Sequence, residues 1–399
     1  MKRLIFIAFI IFFGTSNLGW SKNKLWQCIN EKGQTVFTIN AMQVYDFHNG
    51  LARVYKNTLV NNAWVTGYGY INRKGEVVIP CNLKRANDFI GDYTWVKLAN
   101  QDYYTLIHKS GKIIPTKPYK KVGYFYKFQT DICAVYENGK MGFIDMTGKE
   151  IIPCKYSGAN FFKNGLVSVC LYDSQERKYG YINKTGEVII PLKFKQTSAS
   201  SFDNGFARVK VNGKTVLIDT TGKVVFKTIH GNIQSVHNHL ISVFKGKNRT
   251  NWGWVNFKDE VVIPQKYAHA TSFNDDGLAV VELNGLKGVI NTSGKIVVPL
   301  KYKTVYCNLS EDGFIMGVYP SKETLSLMEE KKDYFDAKYN LIDVKSLGIQ
   351  FVQHANGTDY LPFKQNEKWG FLNRNFQVVF RAQFKKVKLF SEGLAFVLE

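Results

Sequence analysis

The sequence predicts an all-β fold built from tandem repeats, on three observations. First, one phrase returns along the chain: Asn138-Gly-Lys-Met-Gly-Phe-Ile-Asp-Met-Thr-Gly-Lys-Glu-Ile-Ile-Pro153 reappears as Lys178-Tyr-Gly-Tyr-Ile-Asn-Lys-Thr-Gly-Glu-Val-Ile-Ile-Pro191. The same frame recurs at residues 68–80, 104–115, 215–226, 252–264, 287–299 and 369–380. Its ruler is the glycine after an aromatic: Gly142 and Gly180 stand 38 positions apart, Gly253 and Gly288 35, a period of one supersecondary unit. Second, apolar residues within each copy follow a strand rhythm broken by turn residues. Third, only one stretch, Ser321–Lys332, has helical character, opening on an N-cap serine but lacking a full capping box, since Thr324 stands where Glu or Gln would complete it. With degenerate copies near Trp26 and Tyr339, about ten units fill the chain.

Each element of the unit has a local cause. The opening stretch, such as Gly205-Phe-Ala-Arg-Val209 or Gly277-Leu-Ala-Val-Val281, is a strand whose alanine and last valine share one face. Asn-Gly follows at Asn138-Gly139, Asn212-Gly213 and Asn284-Gly285, the residues a type I′ hairpin turn demands. The second strand carries aromatic-Gly-aromatic, as in Trp369-Gly-Phe371, with the glycine leaving room for a neighbouring ring or backbone. It ends in Asn/Asp-x-x-Gly, as at Asp145 to Gly148 and Asn183 to Gly186, where the first residue starts a turn and glycine closes it. A Val/Ile strand follows, which Pro80, Pro115, Pro153, Pro191, Pro264 and Pro299 are expected to stop. A looser connection then passes an aromatic such as Tyr156 or Tyr267 and a phenylalanine such as Phe161, Phe202 or Phe273.

A three-stranded antiparallel meander cannot bury its apolar face alone but can do so against neighbours. The expected architecture is therefore an open, curved array of meander sheets, with a closed β-propeller-like ring as the alternative. About ten units exceed the usual four to eight propeller blades, which favours the open array. Residues 22–302 hold the main repeats, 303–365 a degenerate repeat with the short helix inserted, and 366–399 a last repeat.

This pattern resembles the bacterial WG-repeat family, named for a Trp-Gly pair that stands here as Trp252-Gly253 and Trp369-Gly370, and as Tyr68-Gly69 and Tyr179-Gly180. The resemblance is strong over residues 68–302 and 368–399 and weak before Val60 and over 303–365. It implies a repeat β architecture and, commonly, an exported protein, and it supplies no catalytic residue. Thr215 and Lys287 occupy the tryptophan position, so those sites are expected to be less buried or part of a surface groove.

Residues 1–21 read as a secretory signal: Lys2 and Arg3, an apolar run from Leu4 to Phe13, then a cleavage site at Gly19-Trp20-Ser21. The run is too short to cross a bilayer, which takes roughly 20 apolar residues, and no later segment reads as transmembrane. Export is the expectation, to the periplasm, the cell surface or the medium. A net charge of +21, from 53 basic and 32 acidic residues, draws the chain to anionic partners. Lysines spread over turns and sheet edges also keep strands from pairing with other molecules.

Chemistry-bearing residues are few. Cys133 falls where Ala207 and Ala279 stand in other units and reads as a small core residue. Export permits a disulfide from Cys154 to Cys133 or Cys170, and no Cys-x-x-Cys occurs. His237 and His239, with His230 nearby, are a slight metal hint, set against their alignment to a loop-to-strand junction. Asp145, Asp219 and Asp343 recur and read as turn residues, whereas glycosidase carboxylates are unique to one cleft. No Gly-rich phosphate loop, serine nucleophile elbow or His-Glu zinc helix is present. No catalytic, cofactor or metal residue is therefore named. The expected function is a non-enzymatic exported scaffold that binds a protein or glycan of the cell envelope through aromatic and lysine-lined surface between repeats. The alternatives are a charge-driven binder of anionic polymer or nucleic acid and a hydrolase sited within 303–365.

Overall fold

The computed structural model describes residues 23–60, 62–123, 132–173, 176–195, 199–246, 248–321, 327, 329–355 and 357–399. They form ten antiparallel sheets, nine of four strands and one of three, with a single four-residue helix at Leu309–Asp312. The expected signal at residues 1–21 lies outside the described residues, as does half of the stretch expected to be helical, at 322–326 and 328. Lys332, the last residue of that stretch, opens a strand, Lys332–Phe335.

In chain order the second to fifth sheets comprise residues 43–83, 85–119, 121–156 and 158–195. The sixth to tenth comprise 207–226, 232–267, 269–302, 304–342 and 351–384. The first sheet differs, because it joins both ends of the chain: Lys24–Asn30 pairs with Thr35–Ala41 on one side and with Leu394–Leu398 on the other. The alternative of a closed ring is thus the architecture observed. The open array fails because the sequence repeat is out of phase with the sheets. The unit opens on the second strand of one sheet, as at 277–281, and its connection supplies the first strand of the next, whereas the described residues start on a third strand and end on a second. The N-terminal pair and the C-terminal pair are therefore two half-sheets, each with an open edge, and each edge satisfies the other.

Ten buried apolar clusters hold the sheets together, one at each junction, and a ring of ten needs ten where an open row would have nine. The closing junctions are ordinary members of this set. Phe371 and Phe384 of the tenth sheet pack on Ile29, Ala395 and Val397 of the first, which packs through Cys28, Ala41 and Phe396 on Val44, Ala52 and Val54 of the second.

The unit is larger than the three-stranded meander expected. In most sheets the connection contributes a two-residue strand, such as Arg85–Ala86, Lys121–Val122 or His269–Ala270, to the free edge. Tyr156 and Tyr267 belong to the third strand rather than to a loose connection, opposite Met141 and Trp252. Nor does proline end that strand: Pro153 lies inside Glu150–Tyr156 and Pro264 inside Val261–Tyr267. The strand continues because proline sits in a bulge of an edge strand, where its missing N–H breaks no ladder. At the bulge the register jumps from Trp254↔Ile263 to Trp252↔Tyr267. This pushes the Ile263 carbonyl against Gly253, where an added Cβ would lie 2.6 Å from the oxygen. A Cβ added at Gly142, Gly180, Gly288 or Gly370 would meet the equivalent carbonyl at 2.4–2.6 Å. Glycine and bulge are therefore two halves of one device, with proline the usual bulge residue and Arg381 in its place opposite Gly370, and what the glycine admits is backbone.

A second device joins consecutive sheets. The aromatic after the glycine receives the phenylalanine of the next connection: Tyr70 and Phe89 lie 4.8 Å apart, Tyr181 and Phe202 4.8 Å, Trp254 and Phe273 5.0 Å, Phe371 and Phe390 4.9 Å. In the fourth junction Phe162 fills this role on Phe143, at 5.2 Å, whereas Phe161 is exposed. The expected turns are present. Asn138 and Gly139 have φ of 50° and 73°, and Asp145 Oδ1 accepts from the N–H groups of Thr147 and Lys149. In the ninth sheet that role falls to Asp336, which accepts from Lys338 and Asn340; Asp343 is not its equivalent and turns the following loop through Ser346.

Candidate functional site

Some lysines pair with carboxylates: Lys109 with Asp92 at 2.6 Å, Lys163 with Asp203 at 2.7 Å, Lys364 with Glu367 at 2.7 Å. At the seam where the ring closes, Lys24, Lys385, Lys386 and Lys388 line one cavity of about 630 Å³ with no carboxylate in its wall. The cavity draws on three sheets: Lys24 and Trp26 from the first, Gln43, Val44 and Tyr45 from the second, and Trp369 from the tenth. Lys385, Lys386 and Lys388 come from the short edge strand Lys386–Val387 and its flanks.

The local folding explains the display. Lys385 and Lys388 are fixed by their backbone N–H groups, which donate to Leu398 and Phe396 at 2.7 and 2.8 Å, so the side chains are free to project from a sheet edge. Trp26 is 5% exposed, yet its indole Nε1 has no hydrogen-bond acceptor among the described residues. A buried donor of this kind costs about 1–3 kcal/mol. Tyr45 carries the Arg53 guanidinium on its ring at 3.9 Å and Lys388 Nζ at 5.6 Å. The acid beside Lys388 is Asp46, whose carboxyl burial pushes above its usual range against the pull of Lys388 and His48. The arrangement is a cationic, aromatic-walled groove suited to an anionic ligand.

A larger hollow of about 1170 Å³ lies between the fifth and sixth sheets, but its wall includes Glu176, which already pairs with Lys195 at 2.9 Å. The larger hollow also carries Arg177, Lys193 and Lys210, but only the seam cavity of the two has a wall without a carboxylate. Nothing in the sequence reading located it, because its lysines stand some 360 positions from Lys24 and Trp26. The Lys385-Lys386-Val387-Lys388 run was the available signal.

The ninth sheet, inside 303–365, holds two further clusters. Gly317 pairs with Asp333 where other sheets pair valine with glycine, as Val281 does with Gly288, so an aspartate occupies the glycine position. Asp333 Oδ2 accepts from the Tyr302 and Tyr319 hydroxyls, both at 2.7 Å, with Lys301 Nζ at 3.2 Å. Burial alone would raise this carboxyl, but these bonds outweigh it and hold it below its ordinary range. The second cluster pairs His354 Nδ1 with Asp312 Oδ2 at 2.8 Å, beside the short helix. His354 Nε2 is buried without a hydrogen-bond partner, and the imidazole stacks on Phe314 with Tyr306 alongside. An aspartate orienting an imidazole is one component of acid–base catalysis. Here the rings of Phe314 and Tyr306 pack against that imidazole.

The residues weighed in the sequence fall as follows. His237 is buried at the end of Asn232–His237, while His239 sits with Asn238 in the tight turn, with φ of 65° and 43°, so the two do not project together from a strand. His230 Nε2 bonds to the Asp259 carbonyl at 3.0 Å. Among the described residues no three His, Cys, Asp or Glu side chains gather to hold a metal. Cys133 pairs with Ile144 as Ala207 does with Ile218 and Ala279 with Ile290, and its sulfur accepts from Trp95 Nε1 at 3.2 Å. All six cysteines are free thiols, so no bond joins Cys154 to Cys133 or Cys170. Lys287, at a tryptophan position, is half-buried and lies 3.9 Å from Glu282; Thr215 is half-buried as well. No helix among the described residues is long and apolar enough to cross a membrane.

Among solved structures, one titled as the eukaryotic initiation factor aligns with a TM-score of 0.46 and 10% identity over 84% of this chain and 97% of its own. AztD from Citrobacter koseri aligns at 0.33 and 9% over 94% and 98%, and the tricorn protease at 0.28 and 12% over 86% and 44%. No curated protein has a matching sequence. The family model described as WG containing repeat matches six times, at residues 68–101, 141–173, 179–214, 252–286, 288–316 and 369–399. The bulge-facing glycine recurs in all six segments and the aromatic lock in five of them, and the chain belongs to the WG containing repeat family.

Proposed function

We propose that this chain is a non-enzymatic scaffold that acts after export, at the cell envelope or beyond it, by binding a protein or glycan partner. One observation carries the reading: recurring aspartates, asparagines and tyrosines serve turns and inter-sheet locks, while four lysines line one groove whose wall holds no carboxylate. A repeat ring offers a broad, rigid surface at little conformational cost, which suits binding rather than bond-making. Export is supported by the N-terminal signal pattern and by the family resemblance. A second reading, charge-driven attachment to anionic polymer, is favoured by the same lysines and the net charge of +21.

The test is capture from an envelope fraction with the mature chain, beginning at Lys22, together with N-terminal sequencing of exported protein. The reading expects cleavage after Ser21 and recovery of a discrete envelope component at moderate salt. Retention of an uncleaved chain in the cytoplasm would overturn the export claim. Turnover of a substrate abolished by His354→Ala would overturn the non-enzymatic one.

A further inference from the structure

We infer that the seam groove is a binding site for an acidic oligosaccharide, and that the bound ligand fastens the ring shut; this rests on the scaffold reading and names the ligand class of its groove. Three observations converge. Four lysines face one cavity whose wall holds no carboxylate, with Asp46, beside Lys388, outside that wall. An ammonium group without a counter-charge attracts carboxylates or phosphates at distances up to the Debye length, roughly 8 Å at physiological salt. Within the wall, half-buried Trp369 offers an apolar edge beside these lysines.

The shape selects among anions. About 630 Å³ is the size of a small-ligand pocket, not of a flat protein interface. Single-stranded nucleic acid needs open aromatic faces on which successive bases stack. Tyr45 has Arg53 against its ring at 3.9 Å and Trp26 is nearly fully buried, so only half-buried Trp369 remains. Sugar rings ask less, because their C–H groups need only apolar edges while carboxylates meet the lysines. A saccharide bearing one acid per residue therefore fits this wall better than a nucleic acid or an acidic peptide.

The location adds a consequence. Trp26 and Lys24 belong to the N-terminal strand, and Lys385, Lys386 and Lys388 to the C-terminal edge. A ligand touching both sets bridges the two ends of the chain and stabilises the closed ring by mass action.

The experiment uses the full exported chain with oligogalacturonate as probe, read by titration calorimetry and by the melting temperature. Neutral dextran oligomers, an oligothymidylate and poly-glutamate serve as comparison ligands. Binding of oligogalacturonate that weakens with salt, with a rise in melting temperature, is expected. So is a loss of about tenfold or more in K385Q/K386Q/K388Q, whose side chains lie at an edge outside the core. Equal or tighter binding of oligothymidylate or poly-glutamate would overturn the saccharide assignment. Unchanged binding in the triple variant would overturn the location, and binding with no change in melting temperature the fastening. If oligogalacturonate fails while envelope capture succeeds, the inference falls and the scaffold reading stands; if capture also fails, both fall.

Discussion

Gly253→Ala should destabilise this protein far more than the same one-methyl change at a glycine with room for it. The added Cβ would stand 2.6 Å from the Ile263 carbonyl oxygen and 2.8 Å from the Gln265 backbone nitrogen and Cγ. Two of these are backbone atoms of a bulge held in register by Trp254↔Ile263 and Trp252↔Tyr267, so relief means moving the ladder rather than a side chain. Overpacking of this kind costs about 1–3 kcal/mol, and the involvement of backbone places it at the upper end. Gly158→Ala is the control, because its Cβ would meet only the Cys170 sulfur, at 3.3 Å, which can yield. Urea denaturation followed by tryptophan fluorescence should show a lower midpoint for Gly253→Ala and a midpoint near wild type for Gly158→Ala. Equal midpoints for the two variants would refute the glycine–proline device as the reason the repeat keeps its phrase.

Phe202→Ala removes a fully buried ring from the Tyr181 lock and should cost about 3–5 kcal/mol, measured by the same denaturation, with the loss centred on the fifth and sixth sheets in hydrogen exchange. Asp333→Asn should cost about 1–3 kcal/mol near neutral pH. A carboxyl held low in the fold adds stability above its unfolded value of about 3.9 and loses it as pH falls through its folded value, so the gap between wild type and variant should close in acid. Burial pushes the Cys28, Cys133 and Cys307 thiols up to about 12, so alkylation by iodoacetamide at pH 8 should be slow in the folded chain and fast in urea.

Much of the fold was legible because one phrase, repeated, states its own turns. Asn138-Gly139 and Asp145 to Gly148 behave as their chemistry requires, and Cys133 takes the alanine's place. What was not legible depends on partners far away in sequence. Proline reads as a terminator until the facing glycine is seen, since the bulge that admits Pro264 is visible only across the ladder. Ring closure rests on Gln27 meeting Val397, and the seam groove on Trp26 meeting Lys386; no local rule reports either meeting. Asp343 reads as a repeat position because the ninth turn carries Tyr339 where most other turns carry glycine, and Asp336 holds that turn instead.

The central claim is that the two ends of the chain share one sheet. Spin labels at Leu25 and Glu399, which flank the Gln27–Val397 pair, measure it directly by pulsed dipolar spectroscopy. Paired strands lie about 5 Å apart, so a closed ring predicts a single short separation within the reach of the labels. An open row of ten sheets, stacked about 10 Å apart, would place the ends on the order of 90 Å from each other, and a long or broad distribution would contradict the account.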